Sequence, residues 1–258
     1  MPLFYNQTRP LSAQLHGALR LGTGSRLKFA AATNSIPIAA DEFFVAQAHY
    51  PIVFAGGPQP GPLIVVGMQN GRNLFVTEAG AWRPDAYVPA YVRRYPFALA
   101  QIEGRSDVIM AIDESADLFS QTDGAPLFEN GQPTAVVQRA QQFCVTFQRH
   151  FDNAQRFAAA AAAANLLVDK QIEVRSRNRA TPFVFSGFKI IDEARFNDMP
   201  DPVHLEWRRN GWSALVYAHL MSLQRWRTLA ALAGAQGTWD ELLTNEQTEP
   251  AAAATKAG

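Results

Sequence analysis

Residues 82–99 read WRPDAYVPAYVRRYPFAL, and the way this stretch folds decides how the two halves of the chain meet. Pro84, Pro89 and Pro96 each fix their own φ and push the residue before them, Arg83, Val88 and Tyr95, toward extended backbone. Only residues 90–94 have room for a helical turn, so the stretch is expected to be a kinked connection. Tyr87, Tyr91 and Tyr95 recur every fourth residue and line one side if that turn extends, leaving Arg93 and Arg94 to stack on rings or pair with acids. The plainer reading is a buried aromatic corner that joins two halves of the fold, because aromatic clusters mostly pack. The sharper one is a surface in which Trp82, Tyr87, Tyr91, Arg93, Arg94 and Tyr95, with Phe97 behind them, recognise an anionic or planar ligand.

On the amino-terminal side, residues 1–40 are weakly patterned apart from Leu11, Leu15 and Leu19 at helical spacing, and DEFFVAQAHY from Asp41 fits one short helix with two acids at its start. Strand-like runs follow at 51–55, 63–68 and 73–77, separated by GGPQPGP and QNGR. Asn70-Gly71 is a strong two-residue hairpin signal, which predicts that 63–68 and 73–77 are antiparallel neighbours. GGPQPGP lacks the lysine and the glycine order of a phosphate loop, and its prolines remove backbone donors, so it is read as a rigid turn.

On the carboxyl side, 96–102 and 107–112 are strand candidates, the second apolar enough to be central in a sheet. Asp113 ends it, with Glu114 and Asp117 close behind. Carboxylates at a strand end suit acid/base or ligand chemistry, which makes Asp113 a candidate binding residue, but the plainer role is to cap a short helix over ESADLF. TDGAPLFENGQP is turn-rich, with Asn130-Gly131 placed for a small hairpin. From 133 to 168, Val136, Ala140, Phe143, Cys144, Phe147, Phe151, Ala154 and Phe157 step by three and four, the pattern of a long helix with one core-facing stripe.

Residues 169–180 alternate Ile172 and Val174 with charge and add Arg175, Arg177 and Arg179, as in a half-exposed edge strand. Residues 183–191 form a further strand, and Asp192 caps a short helix. Asp201-Pro202 opens another helix by an N-cap and a first-turn proline. A helix spans 212–233 with His219 on its apolar side, where a hydrogen-bonded core histidine is expected. Thr238 and Glu241 make a capping box for a last short helix.

Composition bounds the rest. The 258 residues are 48% hydrophobic and 18% charged, an ordinary globular mix, and 23 basic side chains cancel 23 acidic ones, which leaves no nucleic-acid footprint. Cys144 is the single cysteine, so an internal disulfide is excluded. The amino terminus lacks the features of a secretory signal, and no stretch is apolar for long enough to cross a bilayer. The expected fold class is α+β: a mostly antiparallel sheet packed against a long central helix and carboxy-terminal helices. Residues 1–245 are expected to form a single globular domain, or two intimate lobes of about 1–130 and 131–245, followed by a disordered tail over 246–258.

Taken in order, PDAYVPAYVRRYPFAL, IDESADLF, GAPLFENGQPT, SGFKIIDEARFNDMPD and GWSALVYAHLMSL resemble the bacterial SapC family over residues 50–223. The resemblance implies an association with the bacterial envelope or a paracrystalline surface layer. The same letters also name a peptide-uptake permease, against which the lack of a spanning segment argues. The family carries no motif that assigns a catalytic residue. The expectation is therefore a non-catalytic accessory or binding protein, without cofactor or metal, cytoplasmic or envelope-associated, that meets an envelope or surface-layer partner through 82–97. The competing reading is an enzyme acting on a small molecule or peptide, which requires Asp113, Asp117, His219 and an arginine to converge in one pocket. A third is a layer-forming subunit with an exposed apolar patch or unpaired strand edge.

Overall fold

A computed structural model describes residues 3–22, 27–101, 108–174 and 183–236. The chain begins with β1 (Thr8–Pro10), α1 (Ala13–His16), β2 (Arg20–Leu21), β3 (Ser35–Pro37), α2 (Phe43–Ala46), β4 (Ile52–Ala55) and β5 (Pro62–Val65). The kinked stretch contributes one helical turn, α3 (Ala90–Arg93), and leads into β6 (Phe97–Gln101) and β7 (Val108–Asp113). Four two-residue strands come next, β8 (Phe119–Ser120), β9 (Ala125–Pro126), β10 (Phe128–Glu129) and β11 (Gln132–Pro133). The long helix α4 (Ala135–Ala163) precedes β12 (Leu167–Val174) and β13 (Phe183–Ile191). Four helices follow: α5 (Glu193–Asn197), α6 (Asp201–Arg209), α7 (Trp212–Ser222) and α8 (Arg225–Ala235). This is an α+β fold built on antiparallel sheets.

The largest sheet has the order β12-β13-β4-β5-β3, so β12 is an edge, as its alternation of apolar and charged residues requires. A second sheet, β1-β7-β6, puts the apolar β7 between two partners. The helix α4 serves both. Val137 and Cys144 in its first half join the core of the second sheet, whereas Phe147, Ala154, Phe157, Ala158 and Ala161 enter the main core. At about 1.5 Å per residue its 29 residues span roughly 44 Å, enough to run under both layers. It stops earlier than its composition suggests because Asn165 turns left-handed (φ 55°), and the amides of Asn165 and Leu166 reach back to the carbonyls of Ala162 and Ala161. That closes the last turn as a Schellman motif and releases the chain into β12.

Four expectations are corrected. The 63–68/73–77 hairpin does not form, because β5 already pairs with β4 on one edge and β3 on the other. Asn73 instead anchors its segment through bonds to the backbone of Ala30, Ala31 and Phe75. ESADLF is not a helix but a pair of turns running into β8. The helix expected over 212–233 is broken between Ser222 and Arg225 into α7 and α8. Asp201 lies inside the first turn of α6, behind Pro200 as the capping position. The Asn130-Gly131 signal does give a hairpin, β10-β11, with both residues at positive φ as that turn demands. Arg175, Arg177, Arg179, the Thr238/Glu241 capping box and the expected tail lie outside the described residues.

Candidate functional site

The kinked stretch is pinned from outside by a carboxylate. Glu42, 2% exposed at the end of a single 3-10 turn (Ala40–Glu42), accepts from the amide of Ala39 at 2.9 Å and from the amide of Ala90 at 2.6 Å. Ala90 opens α3 directly behind Pro89, so Glu42 caps the turn in place of a local side chain. The Tyr87 hydroxyl donates to the same carboxylate at 3.0 Å, and Arg93 donates in turn to the Tyr87 oxygen at 2.8 Å and to the Val88 carbonyl at 3.0 Å. Burial outweighs these donors and holds the Glu42 carboxyl above the usual range. The Tyr87 hydroxyl is also pushed up, by burial and by the neighbouring Glu42 charge.

The remaining aromatics are tied inward. Trp82 is buried, stacks on Phe75 and donates its indole N–H to the Tyr50 hydroxyl at 2.9 Å; Tyr50 in turn donates to the Tyr87 carbonyl. Tyr95 is buried against Phe29 and Tyr5, with its hydroxyl 3.3 Å from Asp113. Asp113 is fully buried and accepts from the amides of Asn6, Gln7 and Ser115 and from the Ser115 hydroxyl. Although burial alone would raise its pKa, those donors hold the carboxyl below its usual range. Its role is to receive amides, as the capping idea anticipated, but from the amino-terminal segment and its own turn rather than from a helix.

The two arginines differ from every other member of the stretch. Arg93 is exposed, its guanidinium carbon 5.5 Å from the Tyr87 ring and 5.2 Å from that of Phe143. Arg94 is half-buried in an aromatic cage, 4.0 Å from the ring centre of Tyr91, 4.8 Å from Phe147 and 5.4 Å from Tyr5. Its Nε is buried without an acceptor, and among the described residues its side chain makes neither an ion pair nor a hydrogen bond. Cation–π contacts give such a group about 0.5–2 kcal/mol but satisfy none of its five donors. Cys144 lies near this cation, yet burial pushes its thiol up to about 11, so it stays protonated at neutral pH.

The residues required for catalysis are not brought together by their contacts. Asp113 sits with Asn6, Tyr95 and Ser115, and Asp117 is exposed beyond it, whereas His219 is enclosed between the backbones of Ile52 and Ile191. Among the described residues no group of three or more His, Cys, Asp or Glu side chains could hold a metal ion, and no helix is long and apolar enough to cross a membrane.

The stretch is therefore a packed aromatic corner on an α+β scaffold, with the Arg94 guanidinium set among rings. The family model for SapC matches residues 11–229, most of the chain, and the protein belongs to the SapC family. No curated protein and no solved structure matches it.

Proposed function

We propose that this chain is a non-catalytic accessory protein of the bacterial envelope or surface layer that recognises an anionic group of its partner or ligand at the corner formed by Tyr87, Arg93 and Arg94. Trp82, Tyr91, Tyr95 and Asp113 hold that corner in shape. The observation that carries the reading is the state of Arg94, a cation in an aromatic cage without a counter-charge. A buried N–H such as that of the Arg94 Nε is normally matched by an acceptor, because leaving it unpaired is costly, and the rest of the guanidinium is open to an incoming anion. A carboxylate or phosphate arriving from outside would supply the missing acceptors at Arg94, with the exposed Arg93 adding to the local positive charge.

Thermal unfolding in the presence of inorganic phosphate or citrate tests the reading. The wild-type chain is expected to show a saturable rise in Tm, as for any ligand selective for the native state. Arg94→Met, which keeps bulk inside the cage, is expected to match the wild-type stability without anion or to exceed it by up to about 2 kcal/mol, because nothing in the protein neutralises the charge it removes. Arg93→Ala with Arg94→Ala should abolish the anion response and binding to an envelope fraction. An undiminished anion response in the double variant, or unfolding of Arg94→Met, would overturn the proposal.

A further inference from the structure

At the β12 edge of the main sheet lies a half-open cavity of about 820 Å³, lined by Lys170 and Ile172 of β12, Ile190 of β13, the link at Leu223 and Gln224 and the first residues of α8, Arg225 to Thr228. Its volume is in the ordinary range for small-molecule sites. Lys170 and Ile172 are two apart on one strand, and Ile190 pairs with Val168, so the three share one face of the sheet. Ile172, Ile190, Leu223 and Trp226 make an apolar floor. The charged lining is all of one sign: Lys170, Arg225 and Arg227, without a carboxylate among the lining residues.

The protein does little to offset that charge. Arg225 gives its Nε to the Gln47 carbonyl at 3.3 Å, while the side chains of Lys170 and Arg227 are exposed and make no ion pair or hydrogen bond among the described residues. Asp169 and Lys189 pair with each other at 2.9 Å, and Asp169, next to Lys170 on the strand, has its side chain on the other face of the sheet. The two arginines stand in the first turn of α8, where the helix dipole disfavours cations, and that turn has no acidic residue and no side-chain cap. Trp226 is only 7% exposed, and its indole N–H has no partner among the described residues. The N–H itself is open to solvent.

We infer that this cavity binds an amphiphilic anion, a carboxylate or phosphate head carrying an apolar chain or ring. The head would meet Lys170, Arg225, Arg227 and the open first turn of α8, and the apolar body would lie on Ile172, Ile190, Leu223 and Trp226. Both halves of the ligand follow from the lining: a free inorganic anion would leave the floor unused, and a neutral hydrocarbon would leave the cations unmatched. The site shares no residue with the Arg93/Arg94 corner and stands or falls separately from it.

Isothermal titration calorimetry of the full chain with decanoate, below its micelle concentration, tests the inference. Saturable one-to-one binding is expected, at least tenfold tighter than that of decanol or acetate. Lys170→Gln with Arg227→Gln, both exposed side chains, should keep the wild-type Tm and weaken decanoate at least tenfold. Arg94→Met should leave it unchanged. Vesicles of phosphatidylglycerol form a second arm: vesicle binding that depends on the same two residues identifies a lipid as the source of the head group, and decanoate binding without vesicle binding identifies a soluble amphiphile. Absence of saturable decanoate binding, equal binding of decanol, or wild-type affinity in the Lys170/Arg227 variant would overturn the assignment.

Discussion

Glu42→Ala is expected to destabilise the native state by about 3 kcal/mol and to disorganise the arginine corner. The carboxylate is the acceptor for the amides of Ala39 and Ala90 and for the Tyr87 hydroxyl. Alanine supplies none of these bonds, and a buried donor left without an acceptor costs about 1–3 kcal/mol. Relief from burying a charge recovers part of the loss, since burial already holds the Glu42 carboxyl above its usual range. Glu42→Gln should fall between, at about 1–2 kcal/mol, because its amide can turn an oxygen toward only one of the two backbone N–H groups. The sign of the pH dependence follows from the same shift. A carboxyl raised on folding contributes stability that is present below its unfolded pKa and declines as pH rises through the folded value, so Glu42 favours the native state more in mild acid than at neutrality. Urea unfolding of the three proteins, with the anion response of each, measures both effects. If Glu42→Ala unfolds within 0.5 kcal/mol of wild type (the usual scatter of surface substitutions), Glu42 does not pin the stretch.

Glu42 also marks where sequence reasoning stopped. It was legible as an acid suited to a helix start, which it partly is, but its main client is Ala90, 48 residues away. Nothing local names such a partner. What periodicity could reach, it mostly reached: of the expected stripe of α4, Cys144, Phe147, Ala154 and Phe157 are buried, although Val137 rather than Val136 is enclosed at its start, and Asp192 accepts from the Arg195 amide as the cap of α5. Both depend on neighbours within a turn or two. The hairpin misreading at Asn70-Gly71 has the complementary cause. Gly71 does take the positive φ (73°) that the signal calls for, but the strand before it is claimed on both edges by β3 and β4. A tertiary pairing overrode a sound local preference. The kinked stretch was recognised as a corner of prolines, tyrosines and arginines. That Trp82 would reach Tyr50 and Arg94 would lie between Tyr91 and Phe147 depends on contacts that only the assembled fold sets.

His219 should govern how the protein loses stability in acid. It is fully buried, with Nδ1 at 2.9 Å from the Ile52 carbonyl and Nε2 at 3.1 Å from the Ile191 amide. The two partners dictate one neutral tautomer: Nδ1 carries the proton and donates to Ile52, while Nε2 accepts from Ile191. Protonating Nε2 would set two N–H groups against each other, and burial depresses the pKa to about 4. The unfolded side chain titrates near 6.5, so between those values the unfolded chain binds a proton that the native one refuses. Stability attributable to His219 is thus complete above pH 6.5 and drains away toward pH 4, by about 3 kcal/mol at about 1.4 kcal/mol per pH unit. Asp113, whose pKa is lowered on folding, contributes in the same direction but at lower pH, as pH falls through the ordinary carboxylate range and below. His219→Leu separates the two. It leaves the Ile52 carbonyl and Ile191 amide unpaired and should cost about 2–4 kcal/mol at pH 7. Its stability should then no longer decline from pH 6.5 toward 4, where only the opposing gain from Glu42 remains, while the later loss through Asp113 persists. A difference between wild type and His219→Leu that stays constant over that range would mean that the imidazole accepts its proton inside the fold, against the tautomer its two backbone partners impose.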